Sequence, residues 1–208
     1  MVFITFVSLQ TLGFDLSYYQ GAVTQDSMTC LYNSGYRFGI IEAQIGNTFN
    51  ENAINDYNRA KNAGFKNVDF YIFPTTKQDA RTQVRNTIQK LQNAGVMTGN
   101  MIWLDVENTD LFYPTQAQNQ QFIADMLSEM SNMLGANRVG VYSNWVQWQA
   151  IVGQNWTGAQ PHQLWYPHYD NWQSFDDFKP FGGWTNPSIK QYHNSVDECS
   201  TTIDRDFY

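Results

Sequence analysis

Basic residues are scarce in this chain, and so are long apolar runs. Its 208 residues include 12 Lys and Arg against 19 Asp and Glu, which gives a formal net charge of −7. Nucleic-acid binding needs clustered cations that neutralise phosphates, so we expect no nucleic-acid partner. The apolar stretch from Val2 to Leu12 is too short to cross a bilayer, so we expect no membrane partner. A hydrophobic content of 42% predicts a single packed domain with a sizeable core.

Cysteine and histidine are rare, and neither follows a metal-binding pattern. The two cysteines, Cys30 and Cys199, lie far apart, and the three histidines form no His-x-x-x-His pair. The sequence also lacks a Gly-x-Gly-x-x-Gly turn after a strand and a Walker-type Gly-Lys-Ser/Thr. We therefore predict no metal and no organic cofactor. The two cysteines leave two interpretations open, which are one long-range disulfide or a pair of free buried thiols.

The start of the chain, residues 1–11, also has two interpretations. It has the length of the apolar core of a secretory signal, but it contains no basic residue and no clear cleavage site. It is either a weak signal that runs into the first strand or a buried lead-in to that strand. The first interpretation, together with the even number of cysteines, favours a secreted or lumenal protein. We place the folded domain at residues 12–208 and expect a monomer.

A helix-like stretch, a glycine stop and a strand-like run recur four times in the first part of the chain. The strand-like runs are 38–42, 68–73, 101–106 and 139–142. Glycine often ends a helix because it lacks a Cβ, and repeated βα units build parallel sheets. After residue 150 the helical spacing fades and leaves strand-like runs at 164–166, 189–192 and 203–208. This pattern predicts an α/β fold, a single TIM-like (β/α) barrel with roughly five βα units followed by strands with few helices.

Two acids lie at the carboxyl end of the 101–106 run. Asp105 and Glu107 are two positions apart, so their side chains share one face of an extended strand. In a βα barrel this end of the strands forms the active site. Neighbouring carboxyls in a partly dry cleft cannot both ionise easily, so one should keep a proton, as glycoside hydrolysis requires. The alternative, a structural ion pair, would need a nearby Lys or Arg, and none is close in sequence.

Two further acids lie in the first and last strand-like runs. Asp15 lies within Gly13–Ser17, and Asp204 lies within the run 203–208. The first and last strands of a closed barrel are neighbours, so both acids can approach the same cleft. Each of them alone is also compatible with a turn or a cap residue.

This ordered set of motifs resembles glycoside hydrolase family 25, the Chalaropsis-type lysozymes, and is similar to the branch found in nematodes and amoebae. The matching residues are Gly-Phe-Asp-Leu-Ser at 13–17, Asp-Val-Glu at 105–107, Val-Gly-Val-Tyr-Ser at 139–143 and Ile-Asp-Arg-Asp-Phe-Tyr at 203–208. The stretches 164–170 and 180–184 also resemble that branch. The resemblance runs from about residue 12 to the end of the chain, and it implies a flattened βα barrel.

The resemblance also implies a reaction. Family members hydrolyse β-1,4 bonds between N-acetylmuramic acid and N-acetylglucosamine in bacterial peptidoglycan, with retention. Carried over, Glu107 is the general acid and later the base, and Asp105 orients the 2-acetamido group that attacks the anomeric carbon. This substrate-assisted route is an exception to the scheme with two catalytic carboxylates. Asp15 and Asp204 complete the catalytic set as polar support, and Asp206 departs from the Asn of many relatives.

Aromatic residues are plentiful, with Trp 7 times and Tyr 12 times in the sequence. Sugar rings have apolar faces that stack on aromatic rings, although aromatic residues are core residues first. The predicted substrate contacts near the ends of strand-like runs are Tyr71, Phe73, Tyr142, Trp165, Tyr169 and Tyr192. Trp103 shares the face of the acid pair but lies deeper, so we expect it to fill the barrel.

Two other functions compete with a lysozyme. A family 18 chitinase needs Asp-x-Asp-x-Glu on the strand, and here Trp103 occupies the first position. A sugar-binding barrel without catalysis needs no proton donor, so the intact pair of Asp105 and Glu107 argues against it. The pI of about 4.7 adds one expectation. Anionic bacterial walls repel an anionic protein, so activity should be highest at acid pH.

Overall fold

The computed structural model describes residues 10–208, which form nine strands and five α-helices. The strands are β1 (Leu12–Leu16), β2 (Phe38–Ile45), β3 (Thr48–Phe49), β4 (Asn67–Phe73), β5 (Ile102–Asp105), β6 (Val139–Tyr142), β7 (Gln163–Pro167), β8 (Ile189–Glu198) and β9 (Thr201–Phe207). The helices are α1 (Gln25–Asn33), α2 (Asn52–Ala63), α3 (Ala80–Asn93), α4 (Gln116–Leu134) and α5 (Trp145–Ile151). Within the described range, no helix combines the length and the apolar character that a membrane span needs.

The barrel closes through β1, which pairs with β2 on one side and with β9 on the other. The order around the ring is β1, β2, β4, β5, β6, β7, β8 and β9, while β3 forms a short hairpin with β2. The ring is parallel from β1 to β8, whereas β9 is antiparallel to both of its neighbours. The predicted single (β/α) barrel is therefore confirmed, with a mixed closure instead of a fully parallel one.

Helices follow the strands in the first two thirds of the chain, as the glycine stops predicted. α3 shows the cause, because Val84, Ile88 and Leu91 recur on one face and are fully buried. Asp79 caps the start of this helix through a side-chain hydrogen bond to the backbone. α2 ends at Gly64, whose φ of 111° lies in the left-handed region that glycine adopts readily. In residues 10–208 no α-helix follows β7 or β8, which agrees with the fading helical spacing after residue 150.

Bulky side chains fill the interior of the barrel. This interior cluster consists of Phe38, Ile40, Tyr71, Trp103, Tyr142, Trp165 and Ile189. Trp103 is fully buried, which confirms its predicted role as a filler. Glycine on the neighbouring strand makes room for it, since a Cβ on Gly140 would lie 2.2 Å from the Trp103 ring. The cluster forms the floor beneath the side chains at the carboxyl ends of the strands.

A disulfide and a backbone ladder hold the two ends of the domain. Cys30 in α1 is bonded to Cys199 in the turn between β8 and β9, so the disulfide interpretation is confirmed. The proposed signal or lead-in, residues 1–11, lies outside the described residues except for its last two positions. Thr11 exchanges backbone hydrogen bonds of 2.9 and 3.1 Å with Tyr208. The described part of the lead-in therefore extends the pairing of β1 with β9.

Candidate active site

The segment that contains the acid pair leaves the barrel at the carboxyl end of β5. The strand ends at Asp105, so Glu107 belongs to the loop that follows and not to the strand itself. The backbone N–H of Val106 donates to the carbonyl of Tyr142 at 2.8 Å, and the Ser143 hydroxyl donates to the carbonyl of Val106 at 2.7 Å. These bonds fix the residue between the two acids against β6, so both acids are held at one side of the barrel mouth.

Asn108 makes a sharp turn directly after Glu107. Its φ is 61°, a value that residues other than glycine rarely adopt. Its backbone N–H donates to Oε1 of Gln147 at 3.0 Å, and its side-chain oxygen accepts the N–H of Asp110 at 3.2 Å. Backbone strain of this kind persists only where surrounding contacts enforce it, and it is common at functional sites. The turn keeps Glu107 at the mouth instead of letting the chain continue away from the barrel.

Four acidic side chains converge on one cavity at the carboxyl ends of the strands. Asp15, Asp105, Glu107 and Asp204 all line it, so the structure brings together the four acids named from the sequence. The other lining residues are Ser17, Tyr71, Tyr142, Trp165, Tyr169 and Gln191. The cavity measures about 140 Å³, whereas pockets that enclose a drug-sized ligand measure roughly 300–1,000 Å³. It can hold the reacting part of a long molecule but not the whole of it.

Gln191 of β8 connects the acids of the first and last strands. Its Nε2 donates to Asp15 at 2.7 Å and to Asp204 at 3.1 Å. Its Oε1 accepts the hydroxyl groups of Tyr142 at 2.7 Å and of Tyr169 at 2.9 Å. A single buried amide therefore uses both its donor and its acceptor ends to fix four side chains around the cavity.

Four of the six aromatic residues predicted to contact substrate line the cavity, and two do not. The four are Tyr71, Tyr142, Trp165 and Tyr169. Phe73 is half-buried against the interior cluster and lies outside the cavity. Tyr192 follows Gln191 directly, so strand alternation turns it to the other face, where its ring lies 6.0 Å from that of Phe207. The residue of β8 that does enter the cavity is Gln191. In the sequence, a polar residue within the strand-like run 189–192 was the signal that could have identified it.

Burial raises the pKa of each acid that lines the cavity. For Asp105, burial is the largest cause, followed by the charges of Glu107 and Glu42. For Glu107, burial is followed by the charge of Asp204. Among residues 10–208, neither Lys nor Arg lines the cavity, so bound protons must offset the clustered carboxylates. This arrangement agrees with the predicted acid pair that keeps a proton.

Glu42 of β2 is a fifth acid of this region, and the sequence reasoning missed it. It is only 2% exposed, and its Oε2 accepts the backbone N–H of Tyr18 at 2.6 Å. Burial outweighs this bond and a hydrogen bond with Tyr71, and it raises the pKa of Glu42 to about 7. The charge of Glu107 acts in the same direction. An acid at the end of the otherwise apolar run 38–42 was the signal that could have identified it.

A larger cavity of about 560 Å³ opens at the opposite end of the barrel, where the parallel strands begin. Phe38, Met101 and Ile189 are among its lining residues, but none of the four converging acids reaches it. In βα barrels the chemistry lies at the carboxyl ends of the strands. The smaller cavity with the acids is therefore the candidate active site.

One cluster outside the active site brings together side chains of the metal-binding type, namely His168, Asp170 and Asp177. The buried ammonium group of Lys190 lies between the two carboxylates, 2.8 Å from Asp170 and 3.0 Å from Asp177. This positive charge repels a metal ion, so the cluster is an ion-pair network that packs the loop after β7. His168, which is 54% exposed, contacts Asp177 within this network.

Comparisons with known proteins agree with this geometry. The family model described as "Lysozyme-like protein 1" matches residues 10–192. A Dictyostelium discoideum protein with the name "Probable GH family 25 lysozyme 2" is 36% identical to this chain, over 94% of this chain and 90% of its own length. The chain belongs to glycoside hydrolase family 25. "Lysozyme-like protein 5" of Caenorhabditis elegans is 32% identical over 100% of this chain and 95% of its own length.

The fold of this family 25 member is also found among solved structures. A family GH25 lysozyme from Aspergillus fumigatus superposes with a TM-score of 0.76 at 20% identity, and the match covers 96% of this chain and 93% of that one. Membership of the family confirms the predicted glycoside hydrolase class. It also excludes membership of the family 18 chitinases.

Proposed function

We propose that this family 25 member is a lysozyme that hydrolyses the β-1,4 bonds between N-acetylmuramic acid and N-acetylglucosamine in bacterial peptidoglycan. The observation that carries the proposal is the convergence of Asp105 and Glu107, together with Asp15 and Asp204, on one cavity at the barrel mouth. The relatives that are named as lysozymes support the same assignment.

Glu107 is the proton donor in this proposal. It is half-buried at the mouth, where a glycosidic oxygen can reach it, and burial and the charge of Asp204 raise its pKa. A carboxylic acid that is still protonated at the working pH can protonate the leaving oxygen while the bond to the anomeric carbon breaks. The resulting carboxylate then takes a proton from the water that attacks the anomeric carbon in the second step.

Asp105 orients the substrate. Its Oδ1 is buried and has no hydrogen-bond partner within residues 10–208. A 2-acetamido N–H of the sugar would supply the missing donor, and a hydrogen bond to the charged form lowers the pKa of a carboxyl group. The proton of the pair then stays on Glu107. The acetamido oxygen attacks the anomeric carbon to form a cyclic intermediate, and water opens it with overall retention.

Aromatic residues around the mouth supply contacts for further sugar units. Tyr169 is 48% exposed at the edge of the cavity. Trp172, 74% exposed, and Tyr19, 81% exposed, lie on the loops that follow β7 and β1, at the same end of the barrel. Since the cavity is too small for a disaccharide, these rings offer stacking surfaces on which a glycan strand lies across the mouth.

The cellular setting is part of the same proposal. Residues 12–208 form the catalytic domain, and the protein acts as a monomer in a secreted or lumenal compartment. The disulfide between Cys30 and Cys199 supports an oxidising compartment, because cytosolic thiols are kept reduced. The proposed partner is the glycan strand of peptidoglycan.

The proposal is tested by digesting purified peptidoglycan and identifying the fragments by mass spectrometry. The enzyme should release muropeptides that end in reducing N-acetylmuramic acid, and Glu107→Gln should release them at least about a hundredfold more slowly. Glu51→Gln is the matched control, because the Glu51 side chain is 77% exposed and lies outside the cavity, and it should keep the parent rate. Cleavage of chitin alone would point to a chitinase, and binding without cleavage would point to a sugar-binding barrel. Either result, or an unchanged rate in Glu107→Gln, would overturn the proposal.

A further inference from the structure

Asp206 of β9 is a buried acid that lies outside the cavity. It is fully buried, and its Oδ1 accepts the indole N–H of Trp165 at 2.8 Å. Its Oδ2 has no hydrogen-bond donor within residues 10–208. A buried carboxylate oxygen without a donor is costly, and such groups are rare in folded proteins. If Asp206 is ionised, its Oδ2 therefore lacks a hydrogen-bond donor.

The carboxyl group that faces Asp206 belongs to Asp15 on the neighbouring strand. In the antiparallel pairing of β1 with β9, Gly13 is opposite Asp206 and Asp15 is opposite Asp204. Asp15 and Asp206 are thus diagonal neighbours on one face, and their carboxyl groups are in hydrogen-bond contact. Two carboxylates cannot form this bond, because neither has a hydrogen to donate.

We propose that Asp15 and Asp206 share one proton in a hydrogen bond between their carboxyl groups, and that this acid–carboxylate pair positions Asp15 at the cavity. The inference rests on the proposed function, since Asp15 belongs to the catalytic set there. Gln191 holds one oxygen of Asp15 at 2.7 Å, and Asp206 holds the carboxyl group from the other side. Asp206 does not line the cavity, so it is a positioning residue that acts through Asp15.

The charged groups around the pair favour retention of the proton. From β9, the carboxylate of Asp204 repels a negative charge on either member of the pair. From β7 and β8, Trp165 and Gln191 offer neutral donors only. Burial, the largest cause, and these charges raise the pKa of both Asp15 and Asp206 well above the ordinary value, while the hydrogen bond between them raises the pKa of Asp15 and lowers that of Asp206. At high pH the proton is lost, two buried carboxylates repel each other, and Asp15 is displaced.

Two variants separate this role from simple packing. Asp206→Asn keeps the size of the side chain, an oxygen for Trp165 and an N–H donor for Asp15, but it cannot titrate. We expect it to keep kcat/KM on peptidoglycan within about twofold at acid pH and to extend activity by about one pH unit on the alkaline side. Asp206→Leu removes both hydrogen bonds. We expect it to lower kcat/KM by about tenfold or more, and partial unfolding of this variant would be compatible with the proposal.

Carbon NMR of the parent enzyme, labelled at its aspartate carboxyls, provides a readout that does not depend on catalysis. The Asp15 and Asp206 signals are assigned by their absence from Asp15→Asn and Asp206→Asn, and we expect one carboxyl of the pair to be protonated at a pH where exposed aspartates are ionised. If both carboxyls titrated together with the exposed aspartates, the proposal would be overturned, as it would be by identical pH profiles for the parent and Asp206→Asn. A protonated carboxyl in the pair, in a protein that cleaves no peptidoglycan, would leave the pair intact and refute only the proposed function.

Discussion

The backbone N–H of Tyr18 donates a hydrogen bond of 2.6 Å to Oε2 of Glu42. This bond ties the loop after β1 to the inward face of β2, next to the cavity that the four acids line. Glu42 is almost fully buried, and the nearby charge of Glu107 adds to the effect of burial on its pKa. The candidate active site therefore concentrates acids that hold protons more tightly in the folded protein than in the unfolded chain.

Folding stability should decrease as the pH rises above about 5. The pKa of Glu42 rises from 4.5 to about 7, and burial raises the pKa of Asp56 and of Asp69 from 3.8 to about 6. Each group stabilises the fold fully below its unfolded pKa, and this contribution is lost as the pH rises through the folded pKa. For Glu42 alone the loss amounts to about 3 kcal/mol. Urea unfolding at about pH 5 and about pH 8 measures the difference.

Glu42→Gln provides the control for this pH dependence. The variant keeps a side-chain oxygen for the N–H of Tyr18 but cannot ionise, so the difference in unfolding free energy between the two pH values should shrink. Glu51→Gln, at an exposed position, should leave the difference unchanged. A parent protein that is more stable at the higher pH would contradict the expectation.

Gly140→Ala should destabilise the barrel through overpacking. The added Cβ would lie 2.2 Å from the ring of Trp103, which is fully buried. We expect a loss of about 1–3 kcal/mol in the free energy of unfolding, measured with urea. In a Trp103→Leu background the space is open, so the same substitution should cost much less. An equal cost in both backgrounds would show that the contact with Trp103 is not the cause.

The barrel and its four cavity acids were predictable because they follow from local rules and from the closure of the barrel. The glycine stops located β6 at its bounds, 139–142. Strand alternation placed Asp105 and Glu107 on one side, and the closure of the barrel brought Asp15 and Asp204 to the same cleft. The β8–β9 hairpin was not predictable in the same way. Its two-residue turn consists of Cys199 and Ser200, both at positive φ, where hairpins usually have Asn or Gly.

Polar residues whose hydrogen-bond partners are distant in sequence were also not predictable. Gln191 bonds to Asp15, which lies 176 positions earlier, and no local pattern encodes that contact. Glu42 likewise depends on Tyr18 and on the loop after β5. For Glu107, strand alternation predicted the side of the chain on which its carboxyl group lies. Its position depends instead on the turn at Asn108, in the loop after β5.

Removal of the disulfide should destabilise the fold strongly. Cys30 and Cys199 are separated by 169 positions, so the bond restricts nearly the whole unfolded chain. In the chain-entropy model this restriction is worth about 5 kcal/mol. Urea unfolding of a Cys30→Ser, Cys199→Ser double variant measures the loss. The parent in a reducing buffer should unfold at the same midpoint as the variant, and an unchanged midpoint in both cases would contradict the expectation.

Lys190→Met should destabilise the loop that positions Tyr169. The Lys190 ammonium is fully buried and donates to Asp170, Asp177 and the carbonyl of Ser174. Removing it leaves two facing carboxylates without a counter-charge. The loss of one partner of a buried ion pair lowers the free energy of unfolding by about 3–5 kcal/mol. Urea unfolding should report this loss, and KM for peptidoglycan should rise because Tyr169 bonds to Gln191 at the cavity. Lys179→Met, at an exposed position of the same loop, should change the unfolding free energy by no more than about 0.5 kcal/mol. If both variants unfolded at the parent midpoint, the ion-pair network would not hold this loop.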